Sequence, residues 1–169
     1  MDLIAQHRSS LIREKALELG FDDVGFVAAG HLDEESRYLD EWLRSGYHGD
    51  MDYMERNLEK RNDPAKLVDG ARSVVVVLQS YNPSRKDQPG KGFKISRYAF
   101  GRDYHKVLKN RLKKLMSYIQ EEVAPDAGGR FFVDSAPVSE RSLAARAGLG
   151  WIGKNTNLLH PRLGSYVFI

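Results

Sequence analysis

The chain has no cysteine. That excludes disulfides, thiolate zinc sites, a cysteine nucleophile and any iron–sulfur cluster ligated within these residues. Long hydrophobic runs are missing as well. The longest, Val74–Leu78, has five residues, far short of the ~20 that cross a bilayer. The start, M-D-L-I-A-Q-H-R, lacks a basic segment followed by an apolar one and does not read as a secretory signal. The expectation is a cytoplasmic protein with no membrane partner. None of the five histidines falls in an H-x-x-x-H or H-E-x-x-H pattern, which argues against a zinc site. There is no G-x-x-x-x-G-K-[ST] phosphate loop and no G-x-S-x-G elbow. Gly148–Gly153 matches G-x-G-x-x-G only superficially, because it follows a helical pattern rather than a strand.

What is present fits one globular domain over residues 1–169. Hydrophobic residues make up 41% and charged residues 29% of the chain, enough for a sizeable core. The net charge of +3 is unevenly spread. Eleven Lys/Arg lie between Arg85 and Lys114 against only Asp87 and Asp103, so that block carries +9 and the remainder −6. A basic block on an acidic body points to an anionic partner, nucleic acid or a phosphate-bearing cofactor. The competing reading is a solvated helix face beside a basic loop.

Apolar spacing predicts helices over 3–19, 34–45 (capped by Asp33) and 104–122. Strands are expected at 22–28 and 73–80. The four consecutive valines of the second suit a strand buried on both faces. Residues 81–94 read as a long polar loop. Y-H-G-D-M-D-Y-M, 47–54, offers aromatic and methionine side chains for a flat ligand, or else a lid over the core. A hairpin is expected from 156–159 and 165–169, its apolar end free to pair with another copy.

The densest stretch is 130–155, R-F-F-V-D-S-A-P-V-S-E-R-S-L-A-A-R-A-G-L-G-W-I-G-K-N. It reads as a short strand, 131–133, ending in Asp134, then a small-residue turn, a helix over 139–147 and a glycine-rich exit. An acid at a strand end is a common placement for a reactive group. Desolvation by Phe131, Phe132 and Pro137 would raise its carboxyl pKa and keep it available as a proton donor. The alternative is a turn-forming Asp bonded to nearby amides. The glycines allow close backbone approach to a ligand.

Four strings together resemble the N-terminal part of epoxyqueuosine reductases: Y-H-G-D-M-D-Y-M with R-N-D-P (61–64), S-R-Y-A-F-G-R-D-Y-H-K-V-L-K-N-R-L-K-K-L (96–115), F-V-D-S-A-P-V-S-E-R-S-L-A-A-R-A-G-L-G-W-I-G-K-N (132–155) and G-S-Y-V-F (164–168). The resemblance implies an α+β fold, a mixed central sheet flanked by helices, of the flavin-reductase and reductive-dehalogenase-like cobalamin-binding kind. It implies reduction of epoxyqueuosine to queuosine at the tRNA wobble position. Cobalamin would be the cofactor, and 4Fe-4S clusters, on cysteines of a following segment, would be the electron source. On that reading the chain is the cobalamin-binding part alone, inactive by itself and dependent on an external electron donor. The family is expected to be monomeric. Asp134 takes the position of the proton donor. Arg61, Ser96, Arg97, Asp134, Lys154, Asn155, Leu158 and Ile169 fall where the family approaches the corrin. Lacking a D-x-H-x-x-G histidine, the chain is expected to place no imidazole on cobalt. Two rival readings are a basic nucleic-acid-binding module without redox chemistry and a flavin reductase-like domain.

Overall fold

The computed structural model describes residues 3–82 and 95–169. Most of the predicted loop 81–94, and with it four of the eleven Lys/Arg of the basic block, therefore lie outside the described residues. Helix α1 (Leu3–Glu18) leads to strand β1 (Asp23–Ala28), helix α2 (Asp33–Arg44), short helix α3 (Leu58–Asn62) and strand β2 (Ser73–Ser80). Helix α4 (Tyr104–Tyr118) follows and widens into a π turn, Ile119–Val123. Helix α5 (Glu140–Arg146) and three two-residue strands, β3 (Trp151–Ile152), β4 (Leu158–Leu159) and β5 (Val167–Phe168), follow, and 3-10 turns lie at Asp52–Met54, Pro64–Lys66 and Arg97–Ala99.

The valine strand organises the fold. It lies between β1 and β5, pairing with β1 from Asp23↔Leu78 to Ala28↔Ser73. Alternate side chains enter different cores. Val75 and Val77 join Ala16, Phe21, Val24, Leu108, Leu115 and Val133 beneath α1 and α4. Val74, Val76 and Leu78 join Leu32, Leu143, Ala144, Leu149 and Leu158 on the α5 side. Successive strand residues point to opposite faces, so a continuous apolar run serves both layers. Gly25 lets α5 approach: a Cβ there would stand 2.7 Å from the Ala147 Cβ and 2.8 Å from its carbonyl.

The α+β class agrees with expectation, but the sheet differs in detail. Every strand pair described is antiparallel, with no parallel component among the described residues. Residues 131–133 form no strand. Asp134 turns left-handed at φ 49° immediately afterwards. Val133 instead plugs the α1–α4 core as a single side chain, 2% exposed. The expected terminal hairpin also splits. His160 and Gly164 close the turn, but β4 pairs with β3 and β5 with β2. The apolar end is therefore covered on one side, Phe168 stacking on Tyr104 and Ile169 resting on the second core. Asp33 is not the cap of α2: the cap position is Leu32, without a side-chain hydrogen bond. Asp33 Oδ1 meets His31 Nδ1 at 2.9 Å instead.

A buried polar pair pins the terminal turn to the sheet. His160 is 5% exposed. Its Nδ1 accepts from the Arg162 and Leu163 amides, each at 3.1 Å. That leaves Nε2–H to donate to Asp23 Oδ2 at 3.0 Å. Burial works against ionisation of Asp23, but the His160 bond, the Val24 amide and the Arg13 charge outweigh it and hold the carboxyl below its usual range.

Candidate functional site around Asp134

Tyr104 opens α4, whose cap is Asp103, accepting from the His105 amide at 3.0 Å. The Tyr104 ring lies between two others, Phe168 of β5 at 4.1 Å and 9° and His105 at 4.0 Å and 29°. Tyr98 meets it edge-on at 6.3 Å. So fixed, the ring aims its hydroxyl at the loop before α5 and donates to Asp134 Oδ2 at 2.5 Å. His105 Nδ1 faces Asp103 at 3.2 Å while its Nε2 stands 3.7 Å from Asp134 Oδ2. Burial, and then the bond to the Asp134 carboxylate, push the Tyr104 phenol well above its ordinary pKa. It remains a donor throughout the physiological range.

The desolvation expected of Asp134 is not met: its side chain is 49% exposed. Phe131 points outward, and Phe132 lies under the Arg130 guanidinium at 5.1 Å. The carboxyl that burial raises is Glu140, at the start of α5. Desolvation first, and then the nearby Asp134 charge, lift it to about 7, against the lowering effect of the Asp134 amide and Arg141. Glu140 was not singled out from the sequence. Nothing about an acid in the first turn of a helix marks it, since that is the ordinary place for one.

The other predicted positions divide into groups. Ser96 and Arg97 are exposed beside the Tyr98–Tyr104 contact. Arg97 donates to Asn82 Oδ1 at 3.0 Å and covers Tyr166 at 4.8 Å. Arg61 is tied to the start of α5, its carbonyl accepting from Ser139 Oγ at 3.1 Å, while its Nε is buried without a hydrogen-bond partner. Lys154 and Asn155 are exposed on the β3–β4 turn, which Arg141 grips through the Thr156 carbonyl at 2.5 Å. Leu158 is core, 2% exposed, and can offer a ligand only its backbone. Ile169 packs on the same core.

The glycines of the exit serve the protein's own packing. Gly148 ends α5 with φ +76°, as a residue after a helix end commonly does. A Cβ on Gly150 would lie 2.3 Å from the Leu159 carbonyl oxygen, and one on Gly153 would lie 2.8 Å from Leu159 Cδ1. The 47–54 segment is no lid: Tyr47, Met51 and Tyr53 are exposed. His48 is turned in against Trp42, with Nε2 3.1 Å from Glu55. Among the described residues no group of three His, Asp or Glu side chains is placed to hold a metal ion. None of the described helices is long and apolar enough to cross a membrane.

Residues 61–135 match a family model described as epoxyqueuosine reductase QueG, DUF1730. An epoxyqueuosine reductase of Leadbetterella byssophila is 50% identical over 161 residues, covering 95% of this chain and 53% of that protein. A crystal structure of epoxyqueuosine reductase with an epoxyqueuosine-modified tRNA-Tyr stem loop superimposes with TM-score 0.85 at 31% identity, covering 98% of this chain and 44% of that one. A Bacillus subtilis epoxyqueuosine reductase, with that protein's Asp134 catalytic loop swung out of the active site, matches with TM-score 0.79 at 30% identity, covering 98% and 44%. The chain thus spans about half the length of the relatives it matches. Along nearly its whole length and in fold, the chain is similar to about half of an epoxyqueuosine reductase.

Proposed function

We propose that this chain is the cofactor-binding and proton-delivering part of an enzyme that reduces epoxyqueuosine in tRNA to queuosine. The observation that carries the reading is Asp134, half-exposed and held at 2.5 Å by a tyrosine locked between two rings. Converting an epoxide to an alkene consumes two electrons and two protons and releases water. An acid aimed at the departing oxygen supplies the first proton, a contribution commonly of ~10²–10⁴-fold. Tyr104 donates to Oδ2, so the proposed donor oxygen is Oδ1.

The residues suit cobalamin. The corrin rim carries amide oxygens, and the Arg61 side chain has a buried Nε without a partner. Arg97 and Lys154 add exposed donors. When bound, cobalamin supplies electrons to the epoxide carbon. The 4Fe-4S clusters do not fit this chain, which has no cysteine; their ligands belong to the rest of the enzyme, or an external donor replaces them. Lys106, Lys109, Lys113 and Lys114 are exposed on α4, the helix that carries Tyr104. That face suits tRNA phosphates, and the stem loop bound by a structural neighbour supports the assignment. Arg111 is not part of it, being committed to the Gly20 carbonyl and Gln79. The setting is the cytoplasm, where tRNA is modified.

The test uses the full-length enzyme, cobalamin, a chemical reductant and an epoxyqueuosine-containing stem loop, with the nucleoside product read by mass. Loss of one oxygen is expected, and Asp134→Asn should slow it by ~10²-fold or more. An unchanged rate would remove Asp134 from the reaction. For the 169-residue chain, cobalamin should raise the melting temperature; no shift would refute the pocket. Salt-sensitive tRNA binding by a chain that never binds cobalamin would favour a plain nucleic-acid module.

A further inference from the structure

The reduction consumes two protons, and Asp134 must be reloaded between them. Its side chain is half-exposed and lacks the burial that would hold a proton on a carboxyl. Two groups meet its Oδ2. The Tyr104 hydroxyl, at 2.5 Å, keeps its own proton, because burial and the bond to Asp134 push that phenol far above neutrality. The other is the His105 ring, with Nε2 at 3.7 Å. We propose that His105, oriented by Asp103, feeds solvent protons to Asp134. The relay rests on the proposed reduction.

The ring's partners fix what each nitrogen does. Nδ1 stands 3.2 Å from Asp103 Oδ1, and the His105 amide donates to that same oxygen at 3.0 Å. Slight desolvation works against the Asp103 charge, but the His105 side chain and amide outweigh it and hold the carboxyl below its usual range. A carboxylate only accepts, so Nδ1 carries a hydrogen. Nε2 is then bare in the neutral ring and donates only in the imidazolium. Stacking on Tyr104, at 4.0 Å and 29°, keeps the ring in place. Imidazole is the side chain that changes charge near neutrality. This one is 43% exposed and exchanges protons with water. A separation of 3.7 Å is long for a hydrogen bond, and such contacts commonly tighten when substrate binds.

Among the described residues, the charged groups facing the ring are Asp103 at Nδ1 and Asp134 at Nε2. Lys106, next on α4, acts on Asp103, and Glu140 acts on the Tyr104 phenol. In the first step the Asp134 Oδ1–H bond breaks, and the oxygen of the opened epoxide gains the hydrogen as a hydroxyl. Next the His105 Nε2–H bond breaks and an Asp134 Oδ2–H bond forms. A carboxylate holds a proton less firmly than imidazole. The transfer runs because the hydroxide leaving the substrate is a far stronger base than either. A half-turn of the carboxyl presents the new proton, the second carbon–oxygen bond breaks, and water departs. Solvent returns a proton to Nε2, and the two electrons come from the chemical reductant.

The full-length enzyme acting on the epoxyqueuosine stem loop tests the relay. His105→Gln keeps a side-chain donor but cannot change charge. It should lower kcat by on the order of 10²-fold with KM unchanged. It should also remove the fall in rate that the parent shows as rising pH deprotonates the imidazole. In His105→Ala, added imidazole should restore the rate in proportion to its protonated fraction. Asp103→Asn keeps the α4 cap and should move the falling limb to lower pH, since a neutral amide no longer favours the imidazolium; it carries the test if the His105 variants fail to fold. An undiminished kcat in His105→Gln, a slow His105→Ala that imidazole does not rescue, or an unmoved limb in Asp103→Asn would each refute the relay. A parent enzyme that leaves the epoxide intact would instead refute the proposed reduction, before any variant is compared.

Discussion

Replacing Tyr104 by Phe isolates one hydrogen bond. The ring keeps both neighbours, Phe168 and His105, and only the hydroxyl that holds Asp134 at 2.5 Å is lost. A bond to a charged acceptor is worth about 1.5–3 kcal/mol when its loss strands the partner. Here the carboxylate is 49% exposed, so water replaces the phenol and the cost falls to about 1 kcal/mol. For a chain of this size that lowers Tm by about 3 °C. Tyr104→Ala, which also empties the space between the rings, should cost about 3–5 kcal/mol. Urea unfolding at pH 7 measures both, with an unchanged slope expected for the Phe variant. The pH dependence gives a second check. The folded phenol has a raised pKa and the unfolded one titrates near 10. The stabilisation is thus complete below pH ~10 and is lost as pH rises beyond it. The parent protein should lose stability there faster than the Phe variant. Equal unfolding midpoints at pH 7, or parallel traces above pH 10, would refute the argument. Hydrogen exchange in residues 131–137 should quicken about five-fold, the Boltzmann factor of 1 kcal/mol.

Other expectations concern the frame around the site. Gly150→Ala would put a methyl 2.3 Å from the Leu159 backbone carbonyl, an atom that cannot move aside. It should cost more than about 3 kcal/mol in thermal unfolding; a loss below 1 kcal/mol would show that the β3–β4 turn relaxes freely. Asp23→Asn removes a carboxylate whose pKa is held down by His160, Val24 and Arg13. That stabilisation is present above pH ~4 and fades as pH falls through the lowered folded value, so the variant should be less stable at pH 7 and converge with the parent in acid. Arg146 forms two bonds to Glu35, at 2.8 and 2.6 Å, between α5 and α2. Lys cannot reproduce that fork, and Arg146→Lys should lose about 0.5–1 kcal/mol by urea titration.

Local pattern made much of this fold readable. Periodicity placed α1, α2 and α4 within a few residues, and the valine run announced a strand buried on both faces, because repeats of 3.6 and 2.0 residues are properties of the chain alone. The motif strings located Asp134. What escaped were properties arising between distant segments. Residues 131–133 have strand composition, yet Val133 is drawn into the α1–α4 core and the chain turns left-handed at Asp134. The glycines at 150 and 153 looked like room for a ligand, whereas β4 fills that room. His160 found its partner 137 residues away in Asp23. Glu140 looks like any acid in a first helical turn. By itself the sequence determined the elements, the buried faces and the position of the exposed acid. Only tertiary packing decided which carboxyl is desolvated, since burial is a property of what the other segments cover.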